Sequence, residues 1–333
     1  IDLNARENFL ETAQRRDSVL KLAQLISYTP KRNVPASGLM KIVALSTTES
    51  LFDSSGVNLA NTTIEWNDPT NVTWYEQFTT ILNSAMQGYT VFGKPNDRAT
   101  LNGIVTEQYQ LNTINDDVPI FSFNKDVNGI GMTFEVVPAT FSGKTYIYEA
   151  APKPEAPFSI IFQNDNQGSG STNSGFFVLF KQGTLAMSGF NITHPVPNEI
   201  IGINVDNINE TDTWLWQLDP NGNYSNSPWT RVPSIVGNNV IYNSLNFADR
   251  DLYSISTRDN DQIDLNFTDG NFGNLPQGSF RFFYRRSNGL TYSIRPQQFS
   301  GILVRIPYQS KSGRNEYLTF TLALQYTVSN SSG

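Results

Sequence analysis

The chain holds a single histidine, His194, between Thr193 and Pro195. With one imidazole there is no multi-histidine metal site, and a Ser-His-Asp triad would have to run through this residue. No Gly-x-Ser-x-Gly elbow accompanies it, so the sequence places His194 in a loop. The densest acidic cluster is Asp259, Asp261, Asp264 and Asp269. Alternating aspartates can ligate calcium, but the calcium loop also needs a fixed glycine and a later glutamate, and both are missing here. A solvated turn is the plainer reading. Two of these carboxylates could instead serve glycoside hydrolysis if their separation suited it. Trp214, Trp216 and Trp229 could stack on sugar rings, with Trp214 and Trp216 sharing a strand face; core or interface packing is the alternative. The phosphate-binding P-loop and the dinucleotide fingerprint are both missing, and Gly129-Ile130-Gly131 alone carries neither. The residues therefore imply no catalytic set, no metal and no cofactor.

Composition narrows the classes further. The chain has 333 residues, no Cys and a net charge of −7. That length suits two or three domains. Without Cys there is no disulfide framework, which fits folding in a reducing cytoplasm. The acidic balance argues against nucleic acid as a partner, because phosphate neutralisation needs clustered cations. Arg15-Arg16 and Arg285-Arg286 are isolated pairs and read as solvated faces. No apolar run is long enough to cross a bilayer as a helix. The chain opens at Ile1, without Met and already in a helical pattern, which suggests a segment of a longer protein.

These residues must be positioned mainly by strands. Residues 4–27 read as a helix whose apolar face is Phe9, Leu10, Ala13, Leu20, Ala23 and Ile26, stopped by Pro30. Its stripe needs a partner, either within the same domain or in a bundle with helices of other subunits. Asp68-Pro69 reads as the start of a second helix. Trp74, Phe78, Ile81, Leu82, Ala85 and Met86 form its stripe, and Gly88 is its C-cap. From about Val91 onward the chain reads as short strands and turns. The strands include 104–111, 132–139, 144–150, 158–163, 176–182, 200–206, 214–218 and 240–246. Residues 165–175 read as a flexible polar hairpin tip and 219–228 as a long polar loop. Ile263, Leu265 and Phe267 alternate with polar residues. After the turn at Asp269-Gly270, Phe280, Phe282 and Tyr284 face one way and Arg281 and Arg285 the other. The last strand carries Leu318, Phe320, Leu322, Leu324, Tyr326 and Val328 on one face and should sit inside a sheet.

Several stretches together resemble a known family. ENFLETAQRRDSVLKLAQLISYTPKRNVPASG is similar to the helix-then-Y-x-P segment near the start of baseplate wedge ring subunits of contractile-tailed phages. These are the T-even-type wedge proteins related to the baseplate J family. NVTWYEQFTTILN and GIVTEQY resemble later landmarks. IDLNFTDGNFGNLPQGSFRFFYRRSNGLTYSIRP resembles that family's F-G-D-G-x-x-G-x-x-P-x-G region, with Thr268 standing where the pattern has Gly. The resemblance is weakest from about Lys153 to Asn246.

The fold class expected is α+β, mainly β. It comprises an N-terminal amphipathic helix, several β-sandwich or barrel-like modules and one inserted helix. The modules are expected at 1–35 (helical segment for an inter-subunit bundle), 36–152 (mixed α/β), 153–250 (β) and 251–333 (β, continuing beyond the chain). The resemblance implies a structural, non-enzymatic role in the tail baseplate of a virion assembled in the host cytoplasm. It also implies pairing with a second copy and with other wedge proteins, partly through Phe9, Leu10, Ala13, Leu20 and Ala23. Contact with the central hub and sheath-initiating proteins would be indirect, and neither nucleic acid nor membrane takes part. A glycan-binding receptor module built on the tryptophans, and a glycoside hydrolase built on the aspartates, remain the alternatives.

Overall fold

The computed structural model describes residues 31–86, 92–114, 121–235, 249–288 and 293–330, together with Ser18, Val19, Leu22 and Val118. The chain begins with β1 (Ser37–Thr47) and β2 (Ile64–Glu65), followed by helix α1 (Trp74–Ala85). Then come β3 (Asp97–Leu101), β4 (Ile104–Leu111), β5 (Phe121–Val127), β6 (Ile130–Val137), β7 (Ala139–Ser142), β8 (Tyr146–Glu149), β9 (Phe158–Asn164) and β10 (Gly175–Gln182). A second group follows: β11 (Thr184–Ile192), β12 (Ile200–Ile203), β13 (Ile208–Leu218), β14 (Thr230–Arg231), β15 (Leu252–Thr257), β16 (Ile263–Phe267) and β17 (Gly278–Arg286). The last strands are β18 (Ser293–Ile294), β19 (Ile302–Gln309), β20 (Asn315–Leu324) and β21 (Val328–Ser329). The protein is mainly β, with one α-helix complete among the described residues.

The strands divide into two compact units that interleave along the chain. Residues 36–183 and 292–329 form the larger unit, and residues up to 35 with 184–291 and 330–333 form the smaller. The expected modules at 36–152, 153–250 and 251–333 follow one another instead. The difference has a plain cause: β20 returns across sequence to pair antiparallel with β1, Met40 opposite Leu324 and Thr47 opposite Leu318.

In the larger unit a ten-stranded sheet runs β19-β20-β1-β10-β9-β4-β3, with β6 and then β5 branching from β10. One side of β10 is shared, its start pairing with β9 and its end with β6. Both faces of the sheet carry cores. Met40, Ile42, Phe176, Val178 and Phe180 lie in one cluster with Phe78, Ile81, Leu82 and Ala85 of α1. Leu39, Phe177, Leu179 and Ile161 lie in another. This explains the unbroken apolar run GFFVLF, since a strand buried on both faces needs no alternation. As expected, β20 lies inside the sheet, between β19 and β1.

Several expectations need correction here. The last strand stops at Leu324 and does not run on to Val328. Tyr326 turns out of the ladder, and its hydroxyl accepts the Leu39 N–H at 3.2 Å. Helix α1 starts at Trp74, not at Asp68-Pro69. The Asp68 carboxylate instead accepts the Thr70 N–H and hydroxyl, a local turn that competes with helix entry. The loop after β9 is pinned. Asp165 accepts hydroxyl bonds from Ser171 and Ser174, Lys41 Nζ donates to the Ser171 carbonyl, and Trp66 Nε1 donates to the Ser169 carbonyl. The bonds it accepts hold Asp165 down to a pKa of about 2, the hydroxyl of Ser171 contributing most. The proposed helix 4–27 lies outside the described residues except at Ser18, Val19 and Leu22, which are helical. Gly88, residues 240–246, Leu290 and Tyr292 also lie outside them.

The smaller unit has two sheets. One runs β11-β17-β13 and the other β12-β16-β15-β14. Phe280, Phe282 and Tyr284 of the first and Ile263, Leu265 and Phe267 of the second share one core, completed by Trp229, Leu215 and Tyr253. The alternation in β16 and β17 thus sends its apolar side inward, as the sequence predicts.

Candidate functional site

The turn between β16 and β17 is one of the segments that pass between the two sheets of the smaller unit, and it is built rigidly. Gly270 sits at φ +89°, a conformation costly for other residues. Gly273 has no room for a side chain. A Cβ there would lie 2.6 Å from Thr268 Cγ2 and 3.0 Å from the Arg250 carbonyl oxygen. Asn274 donates its N–H to that same carbonyl at 2.7 Å and its side-chain amide to Asp251 at 2.8 Å. Arg250 donates to the Asn271 carbonyl at 3.1 Å, closing the clamp from the other side. Asp269 accepts two bonds from Asn271, backbone first, and these lower its pKa. Thr268 keeps a backbone that any residue adopts, and its hydroxyl donates to the Asn274 carbonyl at 3.1 Å. Threonine therefore adds a bond at this position without needing glycine's freedom. Phe272 stands exposed at the tip.

A buried polar cluster lies in the same unit. Arg32 is among its largest fully buried side chains. Its guanidinium donates to the carbonyls of Ile208 and Asn209 and to the Thr257 hydroxyl. Glu210 accepts from the Arg32 N–H at 3.0 Å and from Arg231 at 2.9 Å. Burial lowers the Arg32 pKa to about 10, with Glu210 opposing the shift, so the group stays charged. Asn33, Asn209 and Ser287 are hydrogen-bonded in a ring of side chains. Arg285, fully buried, pairs with Asp212 at 3.5 Å. That corrects the reading of Arg285-Arg286 as a solvated pair, because only Arg286 is exposed. Sequence inspection missed Arg32, Asn33, Asn209 and Asp212. The one available signal was the polar run Asn209–Thr213 preceding an aromatic strand.

Among the described residues, one cavity lies beside this cluster and another beside the turn. One, of about 320 Å³, is lined by Arg32, Glu210, Arg231, Pro233, Ile255 and Thr257. The donors of Arg32 and Arg231 are engaged within the protein, so this site holds structure together and presents no ready anion cradle. The other, an open groove of about 410 Å³, lies where the turn re-enters β17 and is lined by Gln217, Asp219, Gln277, Ser279 and Arg281 among others. It offers amides, a carboxylate and a guanidinium.

The sequence-predicted residues distribute as follows. Phe9, Leu10, Ala13, Leu20 and Ala23 lie outside the described residues. His194 is exposed in a loop and contacts the Thr193 hydroxyl. Asp259 and Asp261 lie in a short 3-10 turn, Asp264 pairs with Arg258 at 3.5 Å, and Asp269 caps its own turn. Among the described residues no group of His, Asp and Glu is placed to hold a metal. The three tryptophans do not form one platform. Trp229 is in the core against Phe267 and Phe280, and Trp216 is buried edge-on to Tyr224.

A family model described as a domain of unknown function, DUF8360, matches residues 38–327. The chain belongs to this family. Its match opens in β1 and closes after β20, so a DUF8360 domain takes in the returning strand and the inserted residues 184–291 alike. No curated protein matches the chain.

Proposed function

We propose that this chain is a structural subunit of a contractile phage tail baseplate, a wedge protein. It would assemble with a second copy and other wedge proteins into a ring around the hub, and the ring would rearrange when the sheath contracts. One observation carries the reading. The segment that most resembles the wedge family, Ile263–Pro296, contains the clamped turn between β16 and β17, and β17 is the central strand of its sheet. A resemblance at exposed tips would carry little weight. This one falls on residues that determine the unit's geometry, including Gly273. Burial of Arg32 and Arg285 in place of a convergent acid–base set also favours a scaffold over an enzyme. The proposed bundle face of Phe9, Leu10, Ala13, Leu20 and Ala23 would supply the contact with other subunits.

Immunogold labelling of virions with an antibody against residues 153–235 tests this. Label at the base of a contractile tail is expected. Label at fibre tips, or a chain missing from purified particles, would refute it. A second reading, a glycan-binding module, is favoured by the open groove at Gln217, Asp219, Gln277 and Arg281. It predicts a saturable sugar-induced change in tryptophan fluorescence that Arg281→Ala abolishes.

A further inference from the structure

The ten-stranded sheet has one face packed with α1 and an outer face that is covered over only part of its width. Ile302, Val304 and Ile306 of β19 and Leu318, Phe320 and Leu322 of β20 point inward, into the core that holds α1. Alternation sends Leu303, Arg305 and Tyr317 outward. On that outer side Leu39 of β1 and Phe177 and Leu179 of β10 are buried with Ala139 and Phe141 of β7. The cover stops short of β19 and β20, where Leu303 is 64% exposed and Tyr317 42%. Thr321 lies opposite Leu303 and Thr319 opposite Arg305, so short side chains flank the two long ones.

Arg305 supplies the chemistry of this face. Its guanidinium carbon lies 4.0 Å from the centre of the Tyr317 ring, and such stacking holds the planar fork in place while leaving its N–H donors at the rim. Arg98 and Arg258, also at the surface, pair with carboxylates, Glu107 at 3.4 Å and Asp264 at 3.5 Å. Among the described residues Arg305 has no such partner, and neither have Lys311 and Arg314, both exposed in the turn between β19 and β20. These cations share one hairpin of a chain whose net charge is −7. We propose that the outer face of the β19–β20 hairpin docks an extended acidic segment of another protein, a carboxylate on Arg305 and an apolar side chain on Leu303. Leu303 and Arg305 are two residues apart on one strand, roughly 7 Å, a spacing that every extended peptide repeats along one of its own faces. A pre-positioned guanidinium takes a carboxylate bidentately, and Lys311 and Arg314 extend the positive potential toward the turn. Nucleic acid fits less well, because the surrounding chain is acidic and Leu303 is apolar. The inference needs only this face and is independent of the wedge reading.

The test sorts a yeast-displayed library of random nonapeptides for binding to the whole chain. Enrichment of Asp or Glu with an apolar residue two positions away is expected. For the tightest peptide, fluorescence anisotropy should give a Kd that rises about tenfold or more in Arg305→Ala, the loss of a bidentate carboxylate bond. Arg305→Lys should restore only part, since lysine keeps the charge without the fork. Leu303→Ser should weaken binding about fivefold, and added salt should weaken it further. Arg98→Ala should leave the Kd unchanged. Leu303 and Arg305 are exposed, so the urea midpoints of their variants should match that of the unmodified chain, which separates lost binding from lost folding. A library without acidic enrichment, or a best peptide that binds Arg305→Ala as tightly as the unmodified chain, would overturn the proposal. So would an oligothymidylate that binds more tightly than the best peptide and loses affinity in Arg305→Ala, because the face would then be a nucleic-acid site.

Discussion

Replacing Gly273 by Ala places a methyl group where its nearest neighbours are Thr268 Cγ2 at 2.6 Å and the Arg250 carbonyl at 3.0 Å. Neither can yield cheaply. The carbonyl is held by the Asn274 N–H, and Thr268 is β-branched with its hydroxyl committed to Asn274. Overpacking of this kind costs roughly 1–3 kcal/mol. If the Thr268 methyl is the principal obstacle, removing it should recover part of the loss. Thr268→Ser keeps the hydroxyl and by itself should cost about 0.8 kcal/mol, one buried methyl. The double variant should then lie about 1 kcal/mol above the sum of the singles, within the range of contacting pairs. Urea unfolding followed by tryptophan fluorescence is a suitable assay, because Trp229 lies 5.6 Å from Phe267 and 5.5 Å from Phe280, at the two ends of this turn. A Gly273→Ala variant within about 0.5 kcal/mol of wild type, as at an ordinary surface site, would refute the reasoning. Strict additivity in the double variant would show that the Arg250 carbonyl or the Thr268 hydroxyl, each 3.0 Å away, and not the Thr268 methyl, sets the limit.

Three further outcomes follow from the same contacts. Arg32→Ala should destabilise the smaller unit by about 3–5 kcal/mol, because it strips the Ile208 and Asn209 carbonyls and the Thr257 hydroxyl of a buried donor and removes the charge 3.8 Å from Glu210, and Arg32→Lys should recover little of this for want of the planar fork; denaturant midpoints of the two variants decide it. Asp165 has a folded pKa of about 2, below the unfolded value of about 4, so its contribution is present above pH 4 and is lost as pH falls toward 2. Asp165→Asn should flatten the pH dependence of stability in that window, and an unchanged slope would contradict the bonds from Ser171 and Ser174. Tyr308→Phe removes a hydroxyl that donates to Glu49 at 2.7 Å and lies 2.8 Å from Thr47 Oγ1. A loss of about 1–2 kcal/mol in thermal or urea unfolding is expected, and a neutral result would mean that water replaces it.

Much of the strand content was legible because alternation is a local property. Ile263, Leu265 and Phe267 announce β16 and its buried face, and the limits of β4 coincide with the run IVTEQYQL. The turn at Asp269–Gly278 was legible from its glycines and proline. Its clamps, Arg250 and Asp251, were not, because nothing near them in sequence reports which groups of the turn they bond. The buried cluster was hidden for a related reason. Arg285 beside Arg286 looks like surface charge, and its partner Asp212 lies on a different strand, while Asn209 and Asp212 break the apolar period of β13 because their environment is polar. The β1–β20 pairing was equally hidden, since each strand shows which face it buries but not which strand lies beside it.

That pairing has a consequence for synthesis. Met40 leaves the ribosome long before Leu324 exists, at about 5–20 residues per second an interval on the order of tens of seconds. Once β10 has been made, β1 can pair on one side and keeps an unpaired ladder on the other until β20 emerges. The inserted residues 184–291 are complete before the strand that closes the larger unit is made. The larger unit therefore closes only once β20 has emerged, and until then the nascent chain carries an unpaired edge on β1, whose one charge is Lys41, open to chaperones and to neighbouring nascent chains.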